Sequence, residues 1–346
     1  MRLTSIIHLL LCFGAYALLP TTSPKHHGTA SSRNEHYQVF ELRYKLQKSK
    51  AADKNLPHAD GNKSEKSNLS GKTLTMGTAV GSLLSVALAA KAQILPLPSG
   101  IVYTDGMIRQ DLLVTLLGGI GSLFFVNLCT LLVSKKILLP RDSRKVIHTI
   151  SALAYMLFWP FFSPGGRYFA MCVPLVNAIR LYIASTDNFE EEELANAISR
   201  TGNQMEALGG PFIYVIVLLF SILLFWRDNM IGISALSTMA AGDGMADIVG
   251  RRLGKGNKWF FTESKSVAGT LAFIVFSSLA IVALTSWFSA TGCFSLPHSI
   301  ISLVPRIIAI CSAAALIELL PIGDDNWTVP ISSAILASIF LNIKNI

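Results

Sequence analysis

Long uncharged stretches separated by short polar connections constrain this chain more than any other feature. The clearest run Thr73–Ala90, Leu112–Ser134, Ala207–Trp226 and Ser266–Gly292, each close to the roughly 20 apolar residues that a helix needs to cross a bilayer. Five others carry an ionisable group or a proline: Val146–Ser163 with His148, Tyr168–Ser185 with Arg180, Met230–Gly242 running into Asp243, Ile307–Ile322 with Glu318, and Trp327–Ile343. These runs lack the alternation of a membrane barrel, so helices are the spanning elements expected. The fold class is therefore all-α, a polytopic transmembrane helical bundle of about eight or nine spans. Composition agrees, since 51% hydrophobic and 14% charged residues with a mean hydropathy of +0.51 exceed what one soluble core would bury.

The first residues differ in character. Arg2 precedes the apolar Leu3–Leu19 stretch, and Ala15-Tyr16-Ala17 has the small-residue pattern of a cleavage site, so residues 1–17 read as a signal peptide or a short anchor. Residues 18–72 are polar, transit-like and poor in large apolar groups, and are expected to lack fixed structure. From Lys25 to Lys72 there are ten Lys or Arg against five Asp or Glu, a surplus of +5 within the net +8 of the chain. The basic excess thus lies outside any nucleic-acid module, and no nucleic-acid partner is expected. A signal followed by a transit-like segment points to a plastid membrane. The sequons at Asn62 and Asn68 point to the alternative, the endoplasmic reticulum. The membrane-embedded domain occupies 73–346. Five cysteines without CxxC spacing read as packing residues rather than as disulfides or zinc ligands.

Charged groups beside hydrocarbon need partners, water or a ligand. They are densest in GDGMADIVGRR, Gly242–Arg252. On a continuous helix Asp243, Asp247 and Arg251 fall at four-residue steps on one face. Two carboxylates one turn apart suit magnesium, whose remaining ligands are water and substrate phosphate. Arg251 and Arg252 suit phosphate oxygens, and Gly244 and Gly250 allow a nucleotide or another helix to approach the backbone. The plainer reading is a salt-bridged helix end.

Lys265 and Ser266 open the run beginning at Ser266, where a helix N-terminus makes an anion site or merely marks the start of a span. Arg144 and His148 share a helix face beside Lys145, a phosphate-binding and proton-transferring set or a positive flank with a packed histidine. Arg180 with Asn177 should face a polar interior. Glu318, Asp325 and Asn326 either complete the site as accessory ligands or belong to a solvated loop. There is no GxxxxGK[ST] loop, HExxH motif or soluble-kinase signature.

GDGMADIVGRRLG (242–254) followed by KSVAGT (265–270) resembles the phytol kinase and farnesol kinase family of plants, algae and cyanobacteria. SRKVIH (143–148), WPFFS (159–163), RYFAMCVPLVNAIRL (167–181), GPFIYV (210–215), FWRDNMIGI (225–233) and DDNWTVP (324–330) are similar to family segments in family order. The resemblance implies an enzyme that phosphorylates a long-chain isoprenoid alcohol with CTP, or UTP, and Mg2+ in a plastid membrane, salvaging phytol toward tocopherol. On that reading Asp243 and Asp247 hold the metal. Arg251, Arg252 and Lys265 neutralise the transferred phosphoryl group, and an Asp or His148 takes the hydroxyl proton. Thr270 stands where a serine is more usual in the family. The motif is also similar to that of dolichol kinases and CDP-diacylglycerol synthases, so a lipid cytidylyltransferase is the alternative enzyme. A polytopic transporter with intramembrane charges is the non-enzymatic one.

Overall fold

The structure, a computed structural model, describes residues 61–97, 101–185, 208–262, 264–296, 299–321 and 323–341. The expected signal peptide at 1–17, and residues 18–60 of the segment expected to lack structure, lie outside the described residues.

Helices account for the architecture, and no strand is present among the described residues. In chain order they are α1 (Gly61–Lys91), α2 (Asp105–Ser134), α3 (Pro140–Met156), α4 (Arg167–Ala170), α5 (Cys172–Ser185), α6 (Gly210–Leu224) and α7 (Met230–Ser237). A π segment (Thr238–Asp243) then leads into α8 (Gly244–Leu253), followed by α9 (Val267–Ala290), α10 (Ile300–Leu319) and α11 (Asp325–Phe340). α1 begins at Gly61, inside the segment expected to lack structure. Helix formation is cooperative, so an apolar helix extends cheaply into Ser, Lys and Glu residues that tolerate it.

Among the described residues, three helices are long and apolar enough to cross a membrane: α2, α9 and α10. Thr75–Lys91 and α6 are apolar but shorter. The expected eight or nine spans are therefore not all matched by helices of spanning length, and the reason is visible in α7. Every residue of α7 and of the π segment is buried, so this run is apolar because protein surrounds it. Val146–Ser163 likewise divides, α3 ending at Met156 before a single turn at Trp159–Phe161 that contains Pro160. On α2 the opposite holds: Leu113, Ile120 and Phe124 are 58%, 63% and 69% exposed, an unusual outer face for a helix in water.

Local signals set the ends of these elements. Thr104, Asn229, Ser266 and Asp324 cap α2, α7, α9 and α11 by accepting backbone N–H groups with their side-chain oxygens. Pro140 occupies the first turn of α3. Trp159 stacks on Trp226 at 5.5 Å, and Phe162 and Phe288 complete the aromatic core at the C-terminal end of α3. Buried Asp111 accepts Ser163 N–H and Oγ–H at 2.6 and 2.7 Å there, while Arg227 Nη1 donates to the carbonyls of Trp159, Pro160 and Phe162. These bonds fix that end and leave the opposite end, at the start of α3, to gather the remaining charge.

Candidate active site

Five pieces of chain meet at the N-terminal end of α3: α3 itself, the π segment, the loop before α9, the C-terminal end of α10 and the start of α11. Asp243 is the last residue of the π segment. Such segments widen a helix by one residue per turn and leave carbonyls displaced from the regular ladder. The carbonyl of Met239 faces His148 Nε2 at 2.8 Å, and Asp243 Oδ2 lies 3.1 Å from the same nitrogen. A carbonyl only accepts, so Nε2 carries the hydrogen and donates. Lys145 Nζ donates to Asp243 Oδ2 at 2.9 Å. One carboxylate is thus gripped by a lysine and a histidine from successive turns of α3.

Oxygens of Asp243, Glu318 and Asp325 lie within 4.8 Å of one another. Lys265 sits against this group, ion-paired to Glu318 and 3.0 Å from Asp325 Oδ2. Burial alone pulls its ammonium pKa down, but Glu318 and then Asp325 outweigh that and hold it above the ordinary lysine value. The sequence pattern paired Asp243 with Asp247. In the structure Asp243 stands with Glu318 and Asp325, which come from α10 and α11. Of the two readings of Glu318 and Asp325, the convergent one describes their placement; Asp324 is a helix cap. Asn326 stands beside them with its Oδ1 buried and without a hydrogen-bond partner, its Nδ2 donating to Asp324 Oδ1 at 2.7 Å.

Asp247 has different company. Arg251 donates to Asp247 from the next turn at 2.9 Å and reaches Asp142 at 2.5 Å, while Arg141 lies 3.7 Å from Asp247. Burial lowers the Arg251 pKa, and Asp142 and Asp247 together more than restore it, leaving it above the ordinary arginine value. The result is a clasp between α8 and the start of α3. Asp142 was not among the residues singled out in the sequence, although it lies next to SRKVIH. Arg252 is exposed on the outside of α8.

The two glycines of the motif serve helix contact. A Cβ on Gly244 would stand 1.9 Å from Thr149 Oγ1 of α3, and one on Gly250 would meet Ser266 Oγ at 3.2 Å and Gly269 Cα at 3.5 Å. Of the two approaches that a missing side chain allows, the structure shows the helix. Gly244→Ala should therefore destabilise the protein by about 1–3 kcal/mol through overpacking. Thr149→Ala, which removes the nearest atom, should recover part of it. Thermal unfolding of the single and double variants checks this, and equal stability of G244A and wild type would refute it. Ser266 is buried and caps α9 through Gly269 N–H.

Arg144, Asn177 and Arg180 line a partly open cavity of about 290 Å3 between α2, α3, α5 and α6, whose remaining walls are largely apolar. His148 lines it too, so the same imidazole faces this cavity and holds Asp243. Tyr214 fixes that ring. Its hydroxyl donates to the His148 carbonyl at 2.8 Å and accepts Ala152 N–H at 2.9 Å, with the two rings 4.5 Å apart. Only its neighbourhood, GPFIYV, was marked by the sequence.

The chain is similar to several curated plant proteins. It is 40% identical to a probable phytol kinase 1, chloroplastic, of Glycine max over 56% of this chain and 65% of that protein, just under two thirds of its length. Against the probable phytol kinase, chloroplastic, of Zea mays it is 36% identical over 66% of this chain and 77% of the relative. The farnesol kinase, chloroplastic, of Arabidopsis thaliana is 36% identical over 56% of this chain and 63% of its own length. No protein-family model and no solved structure matches the chain.

Proposed function

The chain belongs to the phytol kinase and farnesol kinase family, and on that premise we propose that it transfers the γ-phosphoryl group of CTP to the hydroxyl of an isoprenoid alcohol, phytol foremost, in a plastid membrane. The single observation that carries this reading is the juxtaposition at His148: an apolar cavity on one side of the ring and, on the other, three convergent carboxylates with two lysines. A hydrocarbon alcohol and a charged phosphate donor need those two environments in contact.

Asp243, Glu318 and Asp325 supply the hard oxygen ligands that suit Mg2+, and they would hold it. Bound there, Mg2+ neutralises charge on the donor phosphates. Lys145 and Lys265 offset the excess of the three carboxylates and, with Arg144 and Arg180 nearby, favour a polyanion. His148 Nε2–H and Lys145 Nζ hold Asp243 Oδ2 in place as a metal ligand. His148 is then a positioning residue. Exclusion of water by the apolar walls protects the phosphoryl group from hydrolysis, and alignment of the hydroxyl supplies much of the rate.

Membranes carrying the protein, given γ-labelled CTP and phytol, farnesol or geranylgeraniol, should put label on the alcohol. Label appearing as pyrophosphate instead would favour a lipid cytidylyltransferase, and no labelled lipid with any donor would sink the reading. UTP in parallel ranks the nucleotides. The proposal includes the fuller membrane architecture, a polytopic bundle in which shorter helices such as α6 raise the crossings toward eight or nine. The exposed apolar face of α2 supports it, and labelling of single introduced cysteines from either side of sealed membranes tests it. The chloroplastic names of the relatives support a plastid address. Sensitivity of the native protein to a glycosidase would move it to the endoplasmic reticulum.

A further inference from the structure

The geometry points to the cavity between α2, α3, α5 and α6 as the seat of the isoprenoid tail, with its deep end setting the tail length the protein accepts. This inference rests on the kinase reading and adds where the acceptor lies. Its polar end is formed by Arg144, His148 and Arg180, and its far end by Tyr155, Phe158 and Val173. Arg144 and Tyr155 are eleven residues apart on α3, so the space follows about 16 Å of helix axis at ~1.5 Å per residue. That is the shape of an extended hydrocarbon with a single polar terminus.

Two further observations favour a tail arriving from lipid. Gly121, Ile150 and Ala154 line the cavity and are themselves exposed, Ile150 at 43%, so its wall between α2 and α3 reaches the outer surface. An alcohol dissolved in the bilayer enters through that side without crossing water. The inner end is closed firmly. Tyr155 donates its hydroxyl to the Ala170 carbonyl at 2.6 Å and leaves only 3.0 Å between its ring and a Cβ placed on Gly118. A hydroxyl at the His148 end lies next to Asp243, while the methyl-branched terminus abuts Tyr155 and Val173.

Val173→Phe shortens this space at its deep end. The ratio of kcat/KM for geraniol to that for phytol should rise about 30-fold, the scale of discrimination that an apolar pocket achieves against excess length. An unchanged ratio in the folded variant overturns the assignment. On the wild-type protein, a phytol analogue with a diazirine at its tail terminus should label peptides containing Tyr155, Phe158 or Val173, and geranylgeraniol should compete. Labelling elsewhere, or labelling displaced by phosphatidylglycerol but not by geranylgeraniol, overturns it and makes the cavity a phospholipid site. These results are separable from the kinase reading: phosphorylation of phytol with tail labelling elsewhere leaves the activity and removes only this site, whereas a wild type that phosphorylates no alcohol removes both.

Discussion

Asp243→Asn should lower kcat by about 10³-fold or more while leaving the protein folded and its alcohol KM little changed. The side chain keeps its size and an oxygen that Lys145 and His148 can still meet, so packing survives. What disappears is the negative charge, and with it a metal ligand. A metal's contribution is commonly worth orders of magnitude, and here it rests on a residue only 9% exposed. Asp247→Asn is the matched control. Its carboxylate belongs to the Arg251 and Arg141 clasp, so the loss should be smaller and seen chiefly as reduced stability. Equal loss of kcat in the two variants would restore the paired Asp243 and Asp247 site, and full activity of Asp243→Asn would remove Asp243 from the chemistry.

Lys265→Met should show the second large effect, and it should depend on divalent cation. Removing the ammonium leaves Glu318, whose side chain is 5% exposed, facing Asp325 and Asp243 without its counter-ion. Stripping one partner from a buried pair costs about 3–5 kcal/mol, so without divalent cation the midpoint of thermal unfolding falls well below that of wild type. Mg2+ should raise the variant's midpoint more than the wild type's, since a cation then replaces the one deleted. Adding Glu318→Gln to Lys265→Met should recover stability, a coupling read by the double-mutant cycle. Mg2+ acting equally on wild type and variant would show that these carboxylates do not bind it.

The sequence carried the helical class, the neighbourhood of the site and most of its members, because intramembrane charge and ordered motifs are local signals. Which carboxylates meet was not local. Four-residue spacing relates Asp243 to Asp247 along one helix and says nothing of groups on other helices, and the π segment leaves no compositional mark in TMAAGD. Glu318 and Asp325 reach Asp243 across separate helices, and Asp142 reaches Arg251 in the same way. Such pairings follow from packing, which spacing along one segment does not encode. Apolar runs and spanning helices differ for a related reason: an apolar run records that water is absent, and protein around α7 satisfies that as well as lipid.

The π segment also has a consequence for lineage. A wide turn of this kind is an α-helix carrying a supernumerary residue, so Thr238–Asp243 behaves like an insertion held in register by its neighbours. Excising one alanine from it would keep every motif legible and close the wide turn to an ordinary α-helical one, with α7 and α8 still in their present phase. A homologue with one residue fewer here would turn the same charges toward α3, and the difference would show as a one-residue gap in an alignment rather than as a displaced site.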